Sequence, residues 1–265
     1  MARGRSVTVL VRRHDSDGRA QRRPDQLIVE EPMEIRLDDA VVATTMRTPG
    51  HDYELAVGWC FTEGLLAGHA VIGVRYCATA AAIDTEFNVV TVDTGGRAPT
   101  PTPRLTTATS SCGLCGSASL TELRRRLDPL LSGAEPMALA TLLGVPATVR
   151  QRQELFATTG AVHAAAAFDA SGNVLLVRED VGRHNAVDKV VGRLMLDGLL
   201  PARERGLFVS GRASFELVQK AWAAGFSTMI AVSAPTALAV ETARTAGIRL
   251  VGFARGGQAN EYAPA

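Results

Sequence analysis

The segment Thr109–Leu120, TSSCGLCGSASL, holds Cys112 and Cys115, two of the chain's four cysteines, with two residues between them. Thiols so spaced can supply half of a zinc site, a redox disulfide, or a relay that receives and releases a sulfur atom. A structural zinc takes about four ligands, and the chain has neither a second CxxC nor an HxxxH pair, though His163 or His184 is available. A thioredoxin-type CxxC follows a strand of a βαβ unit, whereas this one follows the Pro- and Thr-rich stretch GGRAPTPTPRLTTAT. The helix-like run SASLTELRRRL comes next, which places the thiols at or just before a helix N-terminus, where the dipole and free N–H groups favour thiolate. Ser110, Ser111, Gly113, Gly116 and Ser117 around them predict exposure and mobility. The spacing leaves carrier and redox enzyme both open and favours the carrier. Cys60 in GWCFTEG and Cys77 in VRYCAT have apolar neighbours and are expected as core thiols.

Two further stretches are rich in reactive side chains. In TTGAVHAAAAF, His163 invites comparison with the His-x-Glu of zinc nucleobase deaminases, but Ala165 stands where the glutamate would be and no PCxxC follows. His163 is therefore expected either as a buried, hydrogen-bonded histidine or as a ligand contact. EDVGRHNAVDK gathers Glu179, Asp180, Arg183, His184, Asp188 and Lys189 at one turn and helix start. These can line a pocket, or form salt bridges and a cap with Asn185 as N-cap and Asp188 at N3. Their density at a strand end favours the pocket.

The elements that must position these groups fall into three regions. Residues 1–25 read as a basic, frayed tail around one short strand. Residues 26–105 read as a small α+β domain: LIVEEPMEIRLDD and AVVATTMRT as strands about Asp38-Asp39, PGHDYELAVGWCFTEGLL as a helix, VIGVRYCAT and FNVVTVDT as strands. Residues 106–265 read as an α/β domain carrying the CxxC. Two helices lead it, the second stopped or bent by Pro146, and strands then alternate with helices in the manner of βαβ units, implying a largely parallel sheet. In such sheets ligands sit beyond the carboxyl ends of the strands. Those ends carry REDVGRHN, SGRAS, SAPT and FARGGQANEY, with Arg178, Arg183, Arg212 and Arg255. Arginine, glycine turns and helix N-termini converging on one edge point to a phosphate-bearing ligand.

The 265 residues, 46% apolar and 21% charged, have room for both domains. Lys plus Arg total 28 against 27 Asp plus Glu, so neither nucleic acid nor an anionic membrane is expected as a general partner. No run approaches a membrane span, and polar residues follow Arg12-Arg13 where an export signal would be apolar. A reducing cytoplasm is the expected location.

These stretches together resemble the FdhD/NarQ family, the formate dehydrogenase accessory sulfurtransferases. The resemblance runs through EEP (Glu30 to Pro32), TPGHDYELAVGWCFTEGLL, SSCGLCG, TTGAVHAA, EDVGRHNAVDKVVG, SGRASFELVQKAWAAG, VSAPTALAVETA and GFARGGQANEY. It departs mildly at Ala161, where a second glycine is expected, and at Trp59-Cys60. It implies a cytidine-deaminase-like three-layer α/β domain behind a smaller α+β N-terminal domain, and a homodimer. It implies a sulfur carrier that takes sulfur from a cysteine desulfurase as a persulfide on Cys112, with Cys115 assisting. The sulfur passes to the molybdenum cofactor, as bis(molybdopterin guanine dinucleotide), before that cofactor enters formate dehydrogenase. The cofactor segment carries over to Phe253, Ala254, Arg255, Gly256, Gly257 and Gln258; the strand-end reading adds Arg212, Arg183 and His184. No zinc is expected. The rival readings are a chaperone of the guanylated cofactor with the CxxC as a redox latch, and a zinc deaminase.

Overall fold

The computed structural model describes residues 4–77, 87–100, 116–130 and 137–263. The N-terminal arm is a hairpin where the sequence led us to expect a frayed tail. Strands β1 (Ser6–His14) and β2 (Ala20–Ile28) pair antiparallel from Ser6 opposite Ile28 to His14 opposite Ala20. The Asp15 carboxylate accepts the backbone N–H groups of Asp17 and Arg19, and Gly18 takes a φ of 78°, so the Asp-Ser-Asp-Gly segment folds on itself and returns the chain. The β-branched Val7, Thr8, Val9 and Val11 supply the strand preference.

A four-stranded sheet follows, in the order β4-β3-β6-β5. Strands β3 (Glu31–Leu37) and β4 (Ala40–Arg47) form the expected hairpin around Asp38-Asp39, with Asp38 at a φ of 51°. The Asp38 carboxylate accepts both the N–H and the hydroxyl of Thr94, which ties the turn to the end of β6 (Val89–Asp93). Strand β5 (Gly73–Tyr76) pairs antiparallel with β6, and β6 runs parallel to β3. Alternation puts Met33, Ile35 and Leu37 on one face, where they pack with Leu55 and Cys60 of α1 (Asp52–Thr62).

The larger sheet has the order β12-β11-β10-β9-β7-β8. Strands β7 (His163–Phe168) and β8 (Val174–Asp180) lead into α5 (Arg183–Leu196), β9 (Gly206–Val209), α6 (Phe215–Ala224), β10 (Thr228–Ala231), α7 (Ala237–Ala246), β11 (Arg249–Arg255) and β12 (Gln258–Ala263). Only β9, β10 and β11 pair in parallel, through the α6 and α7 crossovers. Strand β7 is antiparallel to both β8 and β9, and β12 to β11. The expectation of a largely parallel sheet is thus corrected to a mixed one, because the β7–β8 and β11–β12 connections are turns too short for a crossover. Ala165, Ala167, Leu207, Val209, Met229 and Leu250 face α5, α6 and α7. Their neighbours Ala166, Phe168, Phe208, Ile230 and Val251 face α3 (Leu139–Gln151) on the other side. A sheet carrying helices on both faces makes three layers.

Helix α3 runs through Pro146 without stopping. Interior proline costs about 3 kcal/mol or more, and Leu142, Val145 and Val149, all buried against the sheet, offset it. Helix α2 (Gly116–Arg126) adds Leu120 and Leu123 to the core on the α5–α7 side.

The two sheets meet where α1 crosses α5. A methyl group at Gly58 would overlap the Asp188 carbonyl, and one at Gly192 the Glu54 carbonyl, so both positions must be bare for the backbones to touch. Around this crossing, Arg178 grips Glu54 with two hydrogen bonds, Nε–Oε2 at 2.5 Å and Nη2–Oε1 at 2.8 Å. Lys220 binds Asp188 at 3.0 Å and Thr62 at 2.9 Å.

Candidate functional site

Strands β8, β9, β10 and β11 all end on one edge of the larger sheet, and β7 begins there, because the two antiparallel partners of β7 both run against it. At this edge a cavity of about 640 Å3 opens between the strand ends and the α3–α4 side, α4 being Glu154–Thr159. Ala254, Arg255, Gly256 and Gly257 form its rim; His163 and Ser210 stand on the sheet side, with Arg150, Gln153 and Phe156 opposite.

Of the C-terminal segment expected to bind the cofactor, Ala254 to Gly257 line the cavity and Phe253 and Gln258 flank it. Gln258 pairs with Arg255 across the β11–β12 hairpin. Gly256 and Gly257 are its two central residues, with φ of 60° and 75°, a turn for which positive φ at both positions selects glycine. The turn therefore explains the glycine pair by itself. Phe253 also takes a positive φ, 52°, its N–H donating to the Ser233 carbonyl. The Arg255 guanidinium lies 6.0 Å from the centre of the Phe253 ring.

Arg183 and His184 form a second neighbourhood at the start of α5, next to His163 and outside the cavity lining. His184 Nε2 is 2.7 Å from Glu216 Oε2 and 3.5 Å from Ser214 Oγ. The hydrogen bond from His184 holds the Glu216 carboxyl below its ordinary value despite burial. Arg183 Nε is buried with no hydrogen-bond partner. Burial lowers the pKa of His163, and the charges of Arg183 and His184 lower it further, which keeps the imidazole neutral at pH 7. Arg212, in the turn after β9, is exposed.

Of the other ionisable groups of EDVGRHNAVDK, Asp180, Asp188 and Lys189 build the fold, which corrects the expectation that they line a pocket, while Glu179 lines a second cavity of about 440 Å3 together with Arg178. Lys189 and Asp180 are fully buried against each other, Asp188 is bound by Lys220, and the Glu179 carboxylate accepts the N–H groups of Leu155 and Phe156 at the start of α4. Asn185 is not the N-cap: Gly182 is, and Asn185 Nδ2 donates to Asp180 Oδ1 and the Met46 carbonyl. Arg178 is likewise engaged by Glu54 and absent from the strand-end cavity. Sequence reasoning missed the α3–α4 wall, whose only legible sign was Pro146, read as a break rather than as a lining residue.

Cys112 and Cys115 lie outside the described residues; α2 begins at Gly116, the next residue after Cys115. Cys60 and Cys77 are buried, as expected. Among the described residues no helix is long and apolar enough to cross a membrane.

The protein of known structure described as a formate dehydrogenase accessory protein from Desulfotalea psychrophila superposes with a TM-score of 0.75, over 98% of this chain and 97% of that one, at 22% identity, a likeness of fold. The sulfur carrier protein FdhD of Mycolicibacterium paratuberculosis is 48% identical over 256 residues, 94% of each chain. Its counterpart from Streptomyces coelicolor is 47% identical over 256 residues, covering 94% of this chain and 91% of its own. The profile of the FdhD/NarQ family matches residues 28–265. With that span matched and its α/β architecture shared, the chain belongs to the FdhD/NarQ family.

Proposed function

We propose that this protein is a sulfur carrier with sulfurtransferase activity that serves formate dehydrogenase. Cys112 thiolate attacks the outer sulfur of a cysteine desulfurase persulfide, so the desulfurase leaves as thiol and Cys112 holds the sulfur as Cys–S–SH. Cys115 thiolate then attacks the inner sulfur, forming a Cys112–Cys115 disulfide and expelling the outer one as sulfide toward the acceptor; a cellular dithiol restores both thiols. The acceptor is the molybdenum cofactor in its bis(molybdopterin guanine dinucleotide) form, bound as substrate at the strand tips. In this reading the protein acts as a cytoplasmic homodimer.

The observation that carries the reading is the strand-tip cavity, in a chain whose relatives are named sulfur carriers. At about 640 Å3 it falls in the range of roughly 300–1,000 Å3 usual for small-molecule sites, a size that suits one nucleotide end of the cofactor. Arg255 at the rim and the unpartnered Nε of Arg183 nearby supply donors for phosphate. The test is the intact mass of the protein after incubation with a cysteine desulfurase and cysteine. The wild type is expected to gain one sulfur atom that reductant removes, and Cys112→Ala to gain none. An equal gain in Cys112→Ala refutes the role of Cys112.

A further inference from the structure

The second cavity, of about 440 Å3, shares no lining residue with the one at the strand ends. It runs along β8, the outer strand of the larger sheet, whose residues Leu175 to Glu179 line it in unbroken succession. Alternate residues of a strand turn their main-chain groups to opposite sides. Ser210 donates its N–H to the Ala164 carbonyl, so Ala164 faces β9, and its neighbour Ala165 turns its main-chain groups to Arg178 on β8. Val177 and Glu179, on either side of Arg178, therefore direct theirs away from β7. Their carbonyls are occupied: that of Val177 accepts from the Arg178 guanidinium, and that of Glu179 lies 3.5 Å from Lys189 Nζ. Their N–H groups are left pointing off the sheet, and an open strand edge of this kind is a template for another strand.

The wall facing this edge is cationic. Arg5, just before β1, His51, just before α1, and Arg152, at the end of α3, line the cavity with Glu154 at its exposed rim. His51 and Arg178 share the Glu54 carboxylate, Glu179 is held by the α4 N–H groups, and Arg152 donates to the Val174 carbonyl. Arg5 is left over. Its Nε is enclosed without a hydrogen bond, and its guanidinium has no ion-pair partner among the described residues. A small anion would answer Arg5 alone, whereas an extended acidic peptide answers both the guanidinium and the strand edge.

We infer that the β8 edge receives an extended segment of a partner protein as an added strand, with an acidic side chain of that segment on Arg5. Main-chain hydrogen bonds to Val177 and Glu179 supply affinity, and the guanidinium selects the carboxylate.

Selection of a phage-displayed library of random decapeptides on the immobilised full chain tests it. The wild type is expected to enrich peptides in which an acidic residue stands among β-branched ones. Val177→Pro removes one outward N–H and spares the β7 ladder, because an edge strand accepts proline on its open side. In titrations with synthetic copies of the enriched peptides, Val177→Pro and Arg5→Gln are each expected to weaken binding about tenfold. No enrichment, enrichment of peptides without acidic residues, or equal affinity in wild type and both variants overturns the inference. Binding lost in Arg5→Gln and kept in Val177→Pro marks a carboxylate pocket without an added strand and overturns it too. So does a Val177→Pro chain that sediments as a smaller species than the wild type, which gives the edge to a second copy. An unchanged unfolding midpoint certifies Val177→Pro; should it not fold, Arg5→Gln and the acidic content of the enriched peptides decide.

Discussion

Lys189 Nζ lies 2.7 Å from Asp180 Oδ2, with neither side chain exposed to solvent. Both groups also bind Thr48, Lys189 donating to its carbonyl at 3.0 Å and Asp180 accepting its N–H at 3.1 Å. One buried ion pair therefore clamps the middle of α5 and the end of β8 to the segment leaving β4. Removing one partner strands the other charge, at a cost of about 3–5 kcal/mol. Lys189→Met is expected to lose that much in urea unfolding, and the double variant with Asp180→Leu to recover part of it. A Lys189→Met variant as stable as the wild type would refute the clamp.

Burial pushes the Glu54 carboxyl up, but hydrogen bonds from Arg178 and His51 and their charges outweigh it and hold its pKa at about 2. A folded-state value below the unfolded one means that the ionised form is the stabilising one. This contribution is complete above the unfolded value near 4.5 and fades as pH falls from there toward about 2. Glu54→Gln should flatten the stability profile across that window, measured by thermal unfolding between pH 2 and about pH 6. A profile as steep as the wild type's would show that Glu54 does not carry the acid sensitivity.

The α1–α5 crossing makes Gly58 and Gly192 intolerant of a single added carbon. Overpacking usually costs about 1–3 kcal/mol and occasionally more; here the obstruction is backbone, which cannot rotate aside. Gly58→Ala and Gly192→Ala are each expected to lose about 3 kcal/mol in chemical denaturation, whereas Gly144→Ala, with open space around it, should be at least neutral.

Desolvation raises the pKa of the Cys60 thiol, and the nearby charge of Asp188 raises it further. Cys60 is therefore expected to resist alkylation. Iodoacetamide at pH 8 should leave Cys60 and Cys77 unmodified in the native protein and label both in urea, as peptide mass mapping would register. Native labelling of Cys60 would contradict its burial.

Local chemistry was legible in the sequence and long-range pairing was not. The Asp38-Asp39 hairpin, the β3 alternation and the α1 helix follow from turn residues and periodicity alone. Strand direction does not, because apolar runs look the same either way and only connector length separates a hairpin from a crossover. The ionisable density of EDVGRHNAVDK was visible, but its partners Thr48 and Thr62 stand more than 120 residues away, so nothing local distinguished a clamp from a pocket. At the site, the strand-end residues Ala254 to Gly257 announced themselves through arginine and glycine. Gln153 and Phe156 could not, since nothing in their local sequence shows that the α3–α4 wall packs across the strand ends.

The Gly256-Gly257 hairpin has one more consequence. A mouth bordered there by bare main chain has no side group through which its selectivity can be tuned, and any larger residue must adopt the same left-handed twist. Substitutions that reshape the cavity without unmaking the loop therefore belong on the helical flank, where side chains line it.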